Sequence, residues 1–316
     1  MKKNIAIIVG GDSVEKKISI ESGKNFYKNV DKKKFNPFLV FYTDNKWSIL
    51  KNKSSVEINN KDFSIVLGVQ KIFFDGAVIL IHGSPGETGE LCNYFESLNI
   101  PYSSSNQKAS ELTFNKFKCS KFLKENKILV PISSINKKIK NIKFPCIVKP
   151  INSGSSFGVS KIKKETELKT GIEIAKKIGN DFMVEEFISG REFTCAVHNL
   201  NKKKLTTLPI TEIITEREIF DYEAKYLGLS REITPAKINE SLKKKIEETS
   251  KKAYMVLNLN GIVRFDFIIN NKAPYLIEVN TVPGFSQKSI VPKMIIESGK
   301  TIKEFTTDMI EKITLN

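Results

Sequence analysis

Residues 4–30, "NIAIIVGGDSVEKKISIESGKNFYKNV", constrain this chain more than any other stretch. Ile5–Val9 is an unbroken apolar run and reads as a buried strand. It stops at Gly10-Gly11. From Ser13 onward the spacing is helical, with Ser13 placed as an N-cap. "FNPFLVFYT" follows as a second strand, and "DGAVILIHG" as another that again ends at a glycine. A chain that alternates strand, glycine turn, helix and strand folds as an open α/β sheet. Ligands of such sheets bind at the carboxyl ends of the strands, where Gly10-Gly11 and His82-Gly83 fall. "GETGELCNYFESLNI" is expected to start a helix with Gly86 and Glu87 in its first turn. "IPYSSSN" (100–106) reads as a Pro/Ser linker and a domain boundary.

Past the linker the pattern changes. "QKASELTFNKFKCSKFLKENK" reads as one helix, followed by strands around "CIVKP" and "GVSKI" and a helix "ETELKTGIEIAKKIG". "FMVEEFISG" reads as a strand ending at Gly190. From Arg191 strands dominate, and two further helices lie near "NESLKKKIEETSKKAYMVLN" and "IKEFTTDMIEKI". A polar stretch, "TEREIFDYEAKYLGLSREITP", interrupts the strands. Loops of that length inside a domain are usually functional or disordered.

With 316 residues, 40 % of them hydrophobic, the chain suits a globular protein of two or three domains. No apolar run approaches the roughly 20 residues that span a bilayer. Ile5–Val9 is also too short for a signal peptide, and charge follows it rather than a cleavage site. Cys92, Cys119, Cys146 and Cys195 are widely spaced, with no C-x-x-C pair. They are expected to be reduced, buried thiols in a cytoplasmic protein, neither zinc ligands nor a disulfide framework. The net charge is +16, yet only Arg191, Arg217, Arg231 and Arg264 are arginines, against 47 lysines scattered along the chain. Nucleic-acid readout favours arginine's bidentate fork. The lysines therefore read as solvated surface, and neither a nucleic-acid nor a membrane partner is expected.

Two stretches carry chemistry. In "FPCIVKPINSGSSFGVSKI" (144–162) a lysine stands at the mouth of a strand before a loop of small, hydroxyl-bearing residues. Such a loop exposes backbone N–H groups, and the lysine adds a point charge suited to phosphate. By itself the stretch fits a β-hairpin with an exposed Gly-Ser turn equally well. The second stretch holds Arg264 and Asp266 in "RFDF" and Glu278 and Asn280 in "LIEVN". Residues two apart on a strand face the same side. If the strands pair across "NNKAP", all four side chains line one surface. Two carboxylates and an amide oxygen are hard ligands of the kind Mg²⁺ takes. The same spacing also describes alternating polar residues on an antiparallel sheet.

"RFDF…LIEVNTVPG" resembles the C-terminal core of the ATP-grasp superfamily, and "FPCIVKPxxSGSSxGVS" resembles its phosphate-covering region. With "GGDSVEKKISIESG", "HGSPGETGE", "SGREFT" and "DYEAKY", six motifs stand in the order of the D-alanine–D-alanine ligase family, from about Ile5 to Pro292. The fold implied is α/β with an α+β C-terminal half. It comprises an N-terminal substrate-binding domain (1–104), a central ATP-grasp subdomain (105–187) and a C-terminal catalytic domain (188–316) with a lid near 216–235. ATP is held between the last two.

The resemblance also assigns roles. Lys149 and Lys116 contact ATP phosphates, and the loop from Asn152 to Gly158, Ser155 included, folds over them. Glu185, Glu186, Phe187 and Ile188 hold adenine, Glu192 takes the ribose hydroxyls, and Lys225 contacts the γ-phosphate. Asp266, Glu278 and Asn280 hold two Mg²⁺ (or Mn²⁺). Arg264 and the Gly284 N–H stabilise an oxyanion. Glu15 binds the ammonium of the first D-alanine with His82 nearby, and Ser289 with the Ile290 backbone binds the second carboxylate. Glu15, Ser155 and Tyr226 form a triad that closes the lid. A homodimer is implied. Lys16, Thr88, Cys92 and Asn93 depart from the family pattern without removing a ligand. The rival readings are another ATP-grasp enzyme, such as a D-alanine–D-lactate ligase, and a non-catalytic basic binding protein.

Overall fold

The computed structural model describes residues 1–51, 54–135, 142–154, 157–200, 204–215 and 230–314. The first sheet is built from β1 (Lys3–Gly10), β2 (Phe35–Thr43), β3 (Lys46–Lys51), β4 (Ser54–Glu57) and, after a small hairpin of β5 (Ile65–Leu67) and β6 (Gln70–Ile72), β7 (Gly76–Ile79). Its order is β4-β3-β2-β1-β7, with β1 parallel to both β2 and β7. Ile5–Val9 is fully buried at its centre, as the apolar run requires. Helix α1 (Lys16–Asn29) lies close against β1. A Cβ on Gly23 would come within 2.0 Å of Val9 Cγ1, so any side chain there would push the helix off the strand.

Two helices start later than expected. Helix α1 begins after Glu15 rather than Ser13: the Ser13 hydroxyl accepts the Glu15 N–H at 3.2 Å in a turn that leads into the helix, while donating to the His82 carbonyl at 2.9 Å. Helix α2 (Glu90–Ser97) begins only after Gly89, in the left-handed region at φ 89°. Glu87 precedes it and turns its carboxylate to tertiary partners. The "IPYSSSN" stretch is packed rather than free: Pro101 and Ser103 bond the backbone of Ala77, and Ser103, Ser104 and Ser105 are buried.

The expected single helix 107–127 is two, α3 (Gln107–Phe114) and α4 (Lys116–Glu125). Asn115 closes the first and caps the second, its side chain accepting the Lys118 N–H at 2.9 Å. The second sheet is β8 (Ser133–Ile135), β9 (Cys146–Pro150), β10 (Ser160–Ile162) and β11 (Phe182–Glu186), in the order β10-β9-β11-β8 and antiparallel throughout, with helix α5 (Leu168–Ile178) against it. β11 stops at Glu186, four residues before Gly190. Residues 187–190 instead cross to the third sheet.

That sheet holds β12 (Arg191–His198), β13 (Thr206–Thr207), β14 (Thr211–Thr215), β15 (Ser230–Ile233), β16 (Ile262–Asn270) and β17 (Ala273–Asn280). Its order is β15-β14-β12-β16-β17, with β13 beside β12. Pro209, which has no N–H for a ladder, separates β13 from β14. Residues 230–233 of the expected lid loop are a paired strand, while 216–229 lie outside the described residues. Helix α6 (Glu240–Val256), capped by Asn239, packs on this sheet. Helices α7 (Ile290–Glu297) and α8 (Ile302–Thr314) return to the first sheet, where Ile290, Phe305 and Ile310 share a core with Ile5, Ile7 and Phe26. Among the described residues no helix is long and apolar enough to cross a membrane. All four cysteines are free and buried, and burial pushes the Cys119 and Cys195 thiols up to about 12.

Candidate active site

The floor of the site is the β16–β17 hairpin, closed by Asn271 and Lys272 with both φ values positive, the signature of a tight two-residue turn. Its register sets Asp266 opposite Glu278 and Arg264 opposite Asn280, so the four side chains named from spacing do share one surface. Arg264 grips Asp266 with two bonds, Nε to Oδ1 and Nη2 to Oδ2, each 2.9 Å. Asn280 Nδ2 donates to Oδ2 at 3.0 Å and Thr194 Oγ1 to Oδ1 at 2.6 Å. Thr194 sits opposite Asp266 on β12. Nothing in local sequence marks it, because only sheet register brings it there.

Two more cation–acid pairs complete the floor. Lys116, at the start of α4, lies 3.1 Å from Glu278 Oε1 and also donates to the Ser153 carbonyl. Lys149 lies 2.6 Å from Glu185 Oε2, both side chains almost wholly buried. Burying two charges is tolerable only when they are paired this closely.

Above the floor a cleft of about 520 Å³ opens between the second and third sheets. It is lined by Lys149, the whole segment 185–192, Asp266 and Glu278. Glu186 Oε1 accepts the Ile132 N–H at 2.9 Å, and the Lys161 ammonium sits 4.0 Å from the Phe187 ring centroid. Ile188 and Glu192 are in the wall. The cleft therefore combines apolar faces, strand-end polar groups and buried cations. A smaller hollow shares Glu185 and Glu278 with it and extends past Lys116 and Gly154 to Glu87 and Thr281.

The far end is made by the first sheet and the residues after β17. Glu15 presses on the Gly-rich loop so closely that a Cβ on Gly154 would lie 2.5 Å from its Oε2. His82 is buried, its Nδ1 2.8 Å from the Val282 carbonyl. Burial holds its pKa below the ordinary histidine value, against the pull of Glu15. Glu87 receives the N–H of Gly83 at 2.8 Å and of Val282 at 3.2 Å, and burial pushes its carboxyl up to about 7. Its place in this end was not read from the sequence, although "HGSPGE" held the signal. Ser289 Oγ accepts the Ser286 N–H at 3.1 Å and lies 2.9 Å from where a Gly284 Cβ would sit. Ile290 opens α7, whose positive N-terminus favours a carboxylate. Ser155, Lys225 and Tyr226 lie outside the described residues.

The set Asp266, Glu278 and Asn280 supplies hard oxygen donors converging on one surface, which fits Mg²⁺ or Mn²⁺. Among the described residues there is no cluster of three His, Cys, Asp or Glu side chains disposed for a metal. Arg264 and Lys116 carry the countercharge instead.

An open α/β sheet followed by two antiparallel sheets that clasp a cleft floored with paired cations and acids defines the ATP-grasp class of ligases. The chain belongs to the D-alanine–D-alanine ligase family: family models described as "D-ala D-ala ligase N-terminus" and "D-ala D-ala ligase C-terminus" match residues 4–105 and 109–311. It is 42 % identical to the D-alanine–D-alanine ligase of Flavobacterium johnsoniae and 37 % to that of Bacteroides fragilis, over 98 % of this chain and 98–99 % of each relative. Among solved structures it resembles VanG D-Ala:D-Ser ligase from Enterococcus faecalis, with a TM-score of 0.88, 28 % identity, and coverage of 99 % of this chain and 100 % of that one. It also resembles the Bacillus anthracis D-alanine–D-alanine ligase complexed with ATP, with a TM-score of 0.77, 26 % identity, and coverage of 99 % and 97 %.

Proposed function

We propose that this protein joins two D-alanines into D-alanyl-D-alanine at the expense of ATP, for peptidoglycan precursor synthesis. The carboxylate of the first D-alanine attacks the γ-phosphorus, forming D-alanyl phosphate and ADP. The amine of the second attacks the acyl carbon, loses a proton and expels phosphate. Both steps build negative charge, so fixed cations dominate catalysis. The observation that carries this reading is the meeting of Lys149, Lys116 and Arg264 with Glu185, Glu278 and Asp266 on one floor, beneath the cleft and beside Glu15 and His82.

In this reading the segment 185–188 cradles adenine, Glu192 holds the ribose, and Lys149, Lys116 and Lys225 hold phosphates. Asp266, Glu278 and Asn280 hold two Mg²⁺ (or Mn²⁺), which neutralise and align the phosphate oxygens when bound. Arg264 and the Gly284 N–H face the oxyanion of the tetrahedral intermediate. Glu15 receives the first ammonium with His82 beside it. Ser289, Ile290 and the start of α7 receive the second carboxylate. Tyr226, with Glu15 and Ser155, closes the lid and favours an amine over a hydroxyl acceptor. The domain division 1–104, 105–187 and 188–316, a cytoplasmic homodimer, and the absence of nucleic-acid and membrane partners belong to the same proposal.

The test is phosphate release from ATP and Mg²⁺ with D-alanine, L-alanine, or D-alanine mixed with D-serine or D-lactate, with products resolved by mass. D-alanine-dependent release with D-alanyl-D-alanine as the main product is expected. Release without dipeptide, or a preference for L-alanine, D-serine or D-lactate, would overturn it.

A further inference from the structure

Val282 and Phe285 bracket Gly284, and all four of their backbone polar groups bond to side chains of the N-terminal third. The Val282 N–H goes to Glu87 at 3.2 Å and its carbonyl to His82 Nδ1 at 2.8 Å. The Phe285 N–H goes to Ser22 Oγ at 3.0 Å and its carbonyl accepts from Asn25 Nδ2 at 2.8 Å. A carbonyl only accepts, so His82 carries its proton on Nδ1, and Nε2 turns its lone pair to Ser22 Oγ, 3.5 Å away. One hydroxyl thus receives Phe285 and faces His82. Ser22, Asn25 and His82 are buried. Buried backbone groups in a loop need partners, but these could have come from the loop's own sheet. All four come instead from α1 and from the segment after β7, more than 190 residues away in sequence.

We infer that Ser22, Asn25, His82 and Glu87 form a frame of positioning residues that fixes the loop 282–285, and with it the Gly284 N–H, against the N-terminal sheet. The inference rests on the proposed ligation for its catalytic consequence. An oxyanion donor works only if it is held in place before charge develops, so slack in the frame weakens the step that forms the tetrahedral intermediate. It leaves the nucleotide cleft, built from other elements, as it was. The frame also gives His82 a task that does not require contact with substrate.

The experiment uses the full chain with Ser22→Ala and Asn25→Asp, the second placing an oxygen against the Phe285 carbonyl in the same shape. Three readouts are taken: hydrogen exchange of peptides spanning 281–286, exchange of ¹⁸O within [γ-¹⁸O]ATP driven by D-alanine as a measure of acyl phosphate formation, and dipeptide turnover. Both variants are expected to exchange faster at 281–286 and to form dipeptide about tenfold more slowly. ATP affinity and the isotope exchange should stay within about twofold of the parent. Unchanged loop exchange overturns the frame, and so does faster loop exchange with parental dipeptide turnover. An equal loss of isotope exchange and dipeptide formation marks a general structural role and overturns it too. A parent protein that releases no phosphate with D-alanine refutes the reaction and the catalytic consequence together, while loop exchange still decides whether the frame holds.

Discussion

At the scale of single residues, the site is a set of charges that satisfy one another. Asp266 accepts four hydrogen bonds, two from the Arg264 fork. Lysine cannot make two parallel bonds from a planar head. Arg264→Lys is therefore expected to keep the fold, since a cation remains beside Asp266, and to lower turnover about 10²-fold. Phosphate release and a thermal melt check this, and turnover near that of the parent would remove Arg264 from the reaction. His198 is the second residue-scale case. It is buried at the end of β12 with its ring edge-on to Phe305, 5.2 Å between centroids. Burial first, then Lys300 and Lys312, pull its pKa from 6.5 down to about 4. The unfolded chain thus binds the proton at higher pH than the folded one. This stabilisation is complete above pH 6.5 and fades as pH falls toward 4, by about 3 kcal/mol in all. Urea midpoints at pH 7 and pH 4.5 should show a smaller acid loss in His198→Gln than in the parent, and identical losses would exclude His198 as a source of acid instability.

At the scale of elements, turns and caps set where the charges stand. The β16–β17 turn and the bulge between Asp266 and Phe267 together fix the register that opposes Asp266 and Glu278, since the turn's own register would set Asp266 opposite Ile277. Asn115 does the same for Lys116, since it stops α3 and starts α4 one residue before the lysine. Removing such a cap costs about 1 kcal/mol. Asn115→Ala is expected to lower stability by that amount and to raise KM for ATP several-fold, because the frayed first turn releases the Lys116 ammonium. A parental KM alongside lowered stability would show that Lys116 holds its place without the cap.

At the scale of the whole molecule, three cation–acid pairs stand beside the same cleft: Lys149–Glu185 joins β9 to β11, Lys116–Glu278 joins α4 to β17, and Arg264–Asp266 lies within β16. A polyphosphate alone takes the cations and leaves the acids bare. A divalent cation alone does the reverse. Both together exchange every pair at once, so their binding is coupled. Calorimetric titration is expected to show ATP binding on the order of 10- to 100-fold tighter with Mg²⁺ than in chelator, and Glu278→Gln to shrink that ratio. Equal affinities with and without Mg²⁺ would refute the exchange.

Periodicity and turn residues alone pointed to the open α/β start and to strands dominating after Arg191, and placed Arg264, Asp266, Glu278 and Asn280 on one surface if their strands paired. Each follows from backbone geometry within a few tens of residues: the two-residue repeat of a strand, a glycine stop, a tight hairpin. The bulge that brings Asp266 opposite Glu278 was not legible. Tertiary structure decided what depends on distant partners. Ser13 reads locally as a helix cap, and its hydroxyl accepts the Glu15 N–H, but it also ties the turn to the His82 carbonyl across the sheet. Glu87 reads as first-turn charge, but its carboxylate holds Val282. Thr194 has no local mark, and the last two helices close the core of the first sheet although they end the chain. A polar side chain takes the partner that the folded chain brings within hydrogen-bond reach, and a helix buries its apolar face where the core remains open. Neither choice is written in the residues beside it.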